Sequence, residues 1–160
     1  MKKEAFKEVE RIHDELSQID TIVSHAQQDW NEFIRKSEEA YLKAVAYDLH
    51  GFYTGLERIF KSIANTIDDK IPEGENWHRD LLRQMGSDIE GVRPAVLSQE
   101  TLDLLDEFMR FRHRVRNIYS FNLIPERLKN LIEKLPSAHD KATGDLSAFA
   151  QFLEHISSAT

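Results

Sequence analysis

The chain has 160 residues, 41% of them hydrophobic and 31% charged, with a formal net charge of -7 and no cysteine. That length fits a single domain, residues 1–160, with a sizeable core, and the composition is too apolar for a disordered chain. Disulfides and thiolate metal sites are excluded, and the acidic balance argues against a surface that coats nucleic acid broadly, while one small basic site stays compatible with it.

The opening stretch "MKKEAFKEVERIHDEL" is amphipathic and charge-mixed, unlike a signal peptide. No run approaches the roughly 18 apolar residues of a membrane span, so no membrane partner and a cytoplasmic location are expected. Phe6, Val9, Ile12, Leu16, Ile19 and Val23 recur at three- and four-residue steps and predict a first helix. "HAQQD" weakens the pattern, and Asp29 is the expected cap of a second, long helix carrying Trp30, Phe33, Tyr41, Ala44, Phe52, Leu56, Ile59, Ile63 and Ile67. Gly51 and Gly55 lie four apart on one face of that helix. They either bend it or let a neighbouring backbone approach; close approach is preferred, because glycine costs a helix only ~1 kcal/mol.

"DDKIPEGEN", Asp68 to Asn76, is the first clear loop. A short helix "WHRDLLRQM" follows, stopped by Gly86, and "SDIEGVRPAVL" is a second connector. Ser98 caps the next helix, which runs into "RFRHRVRNIYSF". Pro125 suits the first turn of a final helix, Pro136 is expected to kink or end it, and "DLSAFAQFLEHI" supplies one more amphipathic segment. With scarce glycine and proline, no sustained β-alternation and short connections, the fold class is all-α, an up-and-down bundle of four to six helices.

The basic stretch is the chemical signal. Taking Arg112 as zero on a helix, Arg116, His113 and Asn117 fall at about 40°, 100° and 140°, with Tyr119 where this polar sector meets the apolar stripe of Leu104, Phe108, Phe111, Val115 and Ile118. Arg110 and Arg114 point further round, toward solvent or a partner. The bland alternative is a solvated face whose arginines pair with carboxylates such as Asp106 and Glu107. Two details weigh against it: arginine, suited to bidentate recognition of phosphate, is used every time, and a histidine, an amide and a phenol share the same two turns.

"RHRVRNIY" resembles the signature of the HEPN superfamily of small helical proteins, an arginine, usually a polar residue, three positions, a histidine, one position and a tyrosine. Arg112, His113 and Tyr119 match; Asn117 stands where the family has histidine, giving an R-x4-N-x-Y variant. The resemblance implies a HEPN-like bundle, more specifically a HepT-like toxin paired with a minimal nucleotidyltransferase (MNT) antitoxin. It implies metal-independent cleavage of RNA by a homodimer whose two motifs face each other, with no cofactor, and adenylylation of Tyr119 by the antitoxin. Catalysis then falls to Arg112, His113 and Asn117, and RNA binding to Arg110, Arg114 and Arg116. Two copies of four arginines around one cleft would make a credible phosphate site in an acidic chain.

Asn117 bears on the chemistry. Attack by the RNA's own 2′-hydroxyl needs a group to take its proton, a group to protonate the leaving oxygen, and cations for the phosphorane. A carboxamide does neither proton task. Either His113 replaces the missing base, held by Asn117, or the module binds RNA or a nucleotidyltransferase without cutting. A third class is an unrelated helical regulator whose arginine patch docks an acidic protein. His13, His25, His50, His78, His139 and His155 form no zinc-binding spacing, and His78, beside Trp77 at a helix start, reads as a packing or capping residue. No phosphate-cradling glycine loop or serine nucleophile motif is present.

Overall fold

Helix α1 runs without interruption from Lys2 to Lys36 in the computed structural model, which describes residues 2–115 and 122–158. The cap expected at Asp29 does not exist. The apolar stripe continues through Val23 and Ala26, which are buried, to Trp30 and Phe33, which pack against the core, so burial carries the helix across the polar "HAQQD". The chain turns instead at Ser37, whose φ of 55° is left-handed and whose N–H donates to the carbonyl of Phe33 at 2.8 Å.

Helix α2, Glu39–Ile63, leads directly into a π turn over Ala64–Asp68 that ends at Asp69, another left-handed residue with φ 53°. Trp30 and Phe33 therefore belong to α1, and the expected second helix is shorter at its start. Antiparallel α1 and α2 pack closely, with Glu15 opposite Arg58 and Glu8 opposite Ser62. The glycines serve that approach. A Cβ on Gly55 would lie 2.8 Å from Cγ1 of Ile19, whereas one on Gly51 would meet Ile22 at an ordinary 3.6 Å.

The short helix α3, Trp77–Met85, ends at Gly86 as the sequence implies. The connector after it carries an isolated bridge between Ile89 and Arg93. Arg93 is buried and holds three strands of chain together: it reaches both carboxylate oxygens of Asp68 at 2.6 and 2.7 Å and donates to the carbonyls of Gln84, Ser87 and Pro94. Helix α4, Gln99–Val115, has the expected cap, since the N–H of Thr101 donates to Ser98 Oγ at 3.3 Å. Asp145 reinforces that end, accepting from the Ser98 N–H and the Thr101 hydroxyl, where a negative charge suits the helix dipole.

Helix α5 is continuous from Pro125 to Ser158, with Pro136 inside it. Of the two outcomes expected at Pro136, a kink or an end, the helix does not end there: Leu135, Ala138 and Ala142 are buried around it, while Pro136 itself faces solvent. Glu107–Lys134 and Glu100–Lys141 pair α4 antiparallel to α5, and Asp20–His139 and His13–Glu154 do the same for α1 and α5. The all-α, up-and-down architecture is thus as expected, with five α-helices among the described residues. Its core centres on Phe52, Tyr53, Leu56 and Phe60 of α2 and Phe108 of α4, whose ring meets Phe52 edge-on at 5.2 Å. No helix of the described residues is long and apolar enough to cross a membrane.

One carboxyl pair lies between α1 and α2. Burial, with Asp29 close by, pushes the Asp48 carboxyl up to about 8. Its Oδ2 is buried without a hydrogen-bond partner among the described residues, so a proton kept on Asp48 supplies the donor that two facing carboxylates lack.

Candidate active site and nucleic-acid interface

A charge on a core face needs a partner, and Glu57 is such a charge. It sits in phase with Tyr53 and Phe60 on the buried stripe of α2, and its side chain is only 3% exposed. Two cationic or ionisable groups come to meet it. From α4, Arg112 brings Nη2 to 3.4 Å from Glu57 Oε1 and donates from Nε to Thr54 Oγ1 at 2.9 Å. From the first turn of α3, His78 places Nδ1 2.6 Å from Glu57 Oε2.

Those contacts determine the imidazole's orientation. A separation of 2.6 Å to a carboxylate oxygen makes Nδ1 the protonated nitrogen, donating to Glu57. Arg112 Nη1, 3.2 Å from the same nitrogen, is a donor only, so that approach is a contact imposed by sharing Glu57. With Nδ1 turned to the buried acid, Nε2 is the nitrogen on the open side. Trp77 stacks on the His78 ring at 3.4 Å between centroids, and Lys61 Nζ lies 4.2 Å over Trp77. His113, exposed on α4, has its ring 6.4 Å from that of His78.

Behind this group the Tyr53 hydroxyl is buried with no hydrogen-bond partner among the described residues. Burial pushes the phenol up, the Glu57 charge adds to that, and Arg112 opposes it, so Tyr53 stays neutral.

In front lies an open cleft of about 710 Å³ between α3 and α4. His78 and His113 share its wall with Arg79 and Arg83 of α3 and Arg110 and Arg114 of α4. The basic lining continues: Arg110 and Arg114 also border a second hollow of about 390 Å³ with Arg127 of α5. Acidic groups interrupt it: Asp106, which pairs with Arg110, and Glu75 line the cleft, and Glu107 borders the second hollow. Among the described residues no group of three or more His, Asp or Glu is placed to hold a metal ion.

Of the residues singled out in sequence, Arg112, His113, Arg110 and Arg114 converge on this cleft region, with Arg112 turned inward at 13% side-chain exposure and the other three exposed. Arg116, Asn117 and Tyr119 lie outside the described residues. Of the packing or capping role read for His78, the packing holds, its ring stacked on Trp77 at 14% exposure, while the α3 N-cap shows no side-chain bond; His78 also joins the ionic cluster. Glu57, Arg79 and Arg83 were not anticipated. Their signals were a carboxylate in phase with a buried aromatic stripe and an i,i+4 arginine pair on a short helix.

Residues 44–153 match a protein-family model described as HepT-like protein. No curated protein and no solved structure matches the chain.

Proposed function

The chain belongs to the HepT-like family of the HEPN superfamily, and on that premise we propose that it is the toxin of a HEPN/MNT toxin–antitoxin pair, a metal-independent endoribonuclease acting as a homodimer. The observation that carries this is the cleft itself. A chain of net charge -7 concentrates Arg79, Arg83, Arg110 and Arg114 around two histidines in one open hollow. Single-stranded RNA offers phosphates to such a surface and a 2′-hydroxyl to such imidazoles.

Arg112, His113 and Asn117 are the motif positions for catalysis, and Arg110, Arg114 and Arg116 for RNA binding. Two α4 helices facing each other would double the positive field over one substrate. In this reading the nucleotidyltransferase silences the toxin by placing AMP on the Tyr119 hydroxyl, adding a phosphodiester charge and a base where RNA phosphate would sit. The presence of Asn117 in place of the family histidine favours one alternative, a HEPN module that binds RNA or the nucleotidyltransferase without cutting.

Purified protein incubated with labelled RNA in EDTA separates the two. Cleavage by wild type that is lost in Arg112→Ala supports the ribonuclease. Binding without cleavage supports the alternative, and activity that needs added magnesium contradicts both the site and the chemistry. Intact-mass measurement after co-expression with the nucleotidyltransferase tests the modification: mass added in multiples of AMP, absent in Tyr119→Phe, is the expected result.

A further inference from the structure

The geometry points to His78, held by Glu57, as the general acid that protonates the leaving 5′-oxygen, with His113 of α4 in the same cleft taking the 2′-hydroxyl proton. The inference rests on the ribonuclease reading and extends it to residues outside the α4 motif. Phosphodiester cleavage by transesterification needs two proton carriers on opposite sides of one phosphorus, because the attacking and leaving oxygens are in line. One helix face supplies one such side. The second comes from α3, where the His78 ring stands 6.4 Å from His113. Both residues line the same open cleft, so a phosphate seated in it can be approached by each ring.

The balance of the step is simple. His113 accepts the proton of the 2′-hydroxyl as the 2′-oxygen bonds to phosphorus. The bond from phosphorus to the 5′-oxygen breaks, and His78 gives its Nε2 proton to that oxygen. The products are a 2′,3′-cyclic phosphate and a free 5′-hydroxyl; no oxidant, reductant or metal enters, and solvent returns both rings to their starting states. Arg112, 3.2 Å from the His78 ring, sits behind it on Glu57 and Thr54, and the arginines that line the cleft itself, Arg79, Arg83, Arg110 and Arg114, supply positive charge for the phosphorane.

Glu57 is a positioning residue in this scheme. Its carboxylate, accepting from Nδ1, holds the ring in the orientation that leaves Nε2 for the substrate. The other charged groups facing His78 are Arg112 and His113 from α4, Lys61 of α2 across Trp77, and Glu75 and Arg79 beside it on its own segment.

Two RNA oligonucleotides of one sequence test this, one ordinary and one with sulfur replacing a single bridging 5′-oxygen, since a thiolate leaves without needing a proton. Cleavage in EDTA is measured for wild type, His78→Ala, His78→Gln and His113→Ala, with RNA binding followed by anisotropy to verify folding. We expect both His78 variants to lose about 10²- to 10⁴-fold on ordinary RNA and to return within about tenfold of wild type on the sulfur-bridged RNA. His113→Ala should be impaired on both. Glu57→Gln should lower kcat on ordinary RNA with KM little changed and recover on the sulfur-bridged RNA, a substrate-dependent split that a purely structural role would not produce. Equal cleavage of ordinary RNA by wild type and His78→Ala, or equal losses on both substrates, overturns the assignment of His78 alone. Wild type that binds but cuts neither RNA overturns the ribonuclease reading together with it.

Discussion

Arg112→Ala should destabilise the fold as well as disarm the site, because the arginine neutralises a buried acid. Glu57 is 3% exposed and Arg112 13%, so neither charge is well solvated where it stands. Removing one member of a buried ion pair typically costs about 3–5 kcal/mol, most of it the penalty of the charge left behind. Here His78 stays 2.6 Å from Glu57 and shares the burden, which places the cost at the lower end, roughly 3 kcal/mol. For a domain of this size that corresponds to a fall in Tm of about 6–12 °C. Replacing Glu57 by glutamine removes the stranded charge, so Arg112→Ala with Glu57→Gln should cost less than the sum of the singles, with a coupling of about 1–3 kcal/mol. Thermal unfolding followed by circular dichroism on wild type, the two singles and the double closes the cycle. A wild-type Tm in Arg112→Ala, or strict additivity in the double, would refute the claim that the cluster is an ionic unit. Activity of Arg112→Ala has to be measured well below its own Tm.

Gly55→Ala should destabilise by roughly 1–2 kcal/mol, since the new methyl meets Ile19, itself buried, at 2.8 Å and outweighs the ~1 kcal/mol gain in helix propensity, while Gly51→Ala, with neighbours at 3.6 Å, should be neutral or stabilising; denaturant melts compare them. The raised Asp48 carboxyl makes a stability contribution that is fully present below its ordinary value of 3.8 and is lost as pH rises through about 8. Asp48→Asn should therefore raise Tm relative to wild type at pH 8–9 and do little at pH 4; an equal effect at both pH values would contradict the shared proton. Arg79→Ala and Arg83→Ala should each weaken RNA binding and reduce the slope of log K against log salt by about 0.7, without altering Tm, and an unchanged slope would remove α3 from the interface.

The fold was largely readable because its strongest terms are local: apolar periodicity, the Ser98 cap, Gly86 and Pro125 all act within a few residues. The misplaced boundaries share one cause. Asp29 is a plausible helix cap and Pro136 a local helix breaker, yet Ala26, buried, and Phe33, partly buried, beside the one and the buried Leu135 and Ala138 beside the other pack against the core and keep the chain helical. Half of the site was legible for the same reason the helices were, since Arg110 to Arg114 form a contiguous run on one helix. The other half depends on residues 21 and 34 positions apart being brought together, His78 to Glu57 and His78 to Arg112. Spacing along the chain carries no record of that. The charge of Glu57 within a buried stripe was the one trace, and it announces a partner without saying which.

The most direct test of the central claim is the fate of a defined single-stranded RNA held in EDTA with wild type and with His113→Ala, an exposed position whose loss should spare the fold. The account predicts fragments from wild type ending in 2′,3′-cyclic phosphate and 5′-hydroxyl, and a rate lower by about 10²-fold or more in the variant. Intact RNA with wild type, or the same fragments at the same rate with His113→Ala, would contradict it.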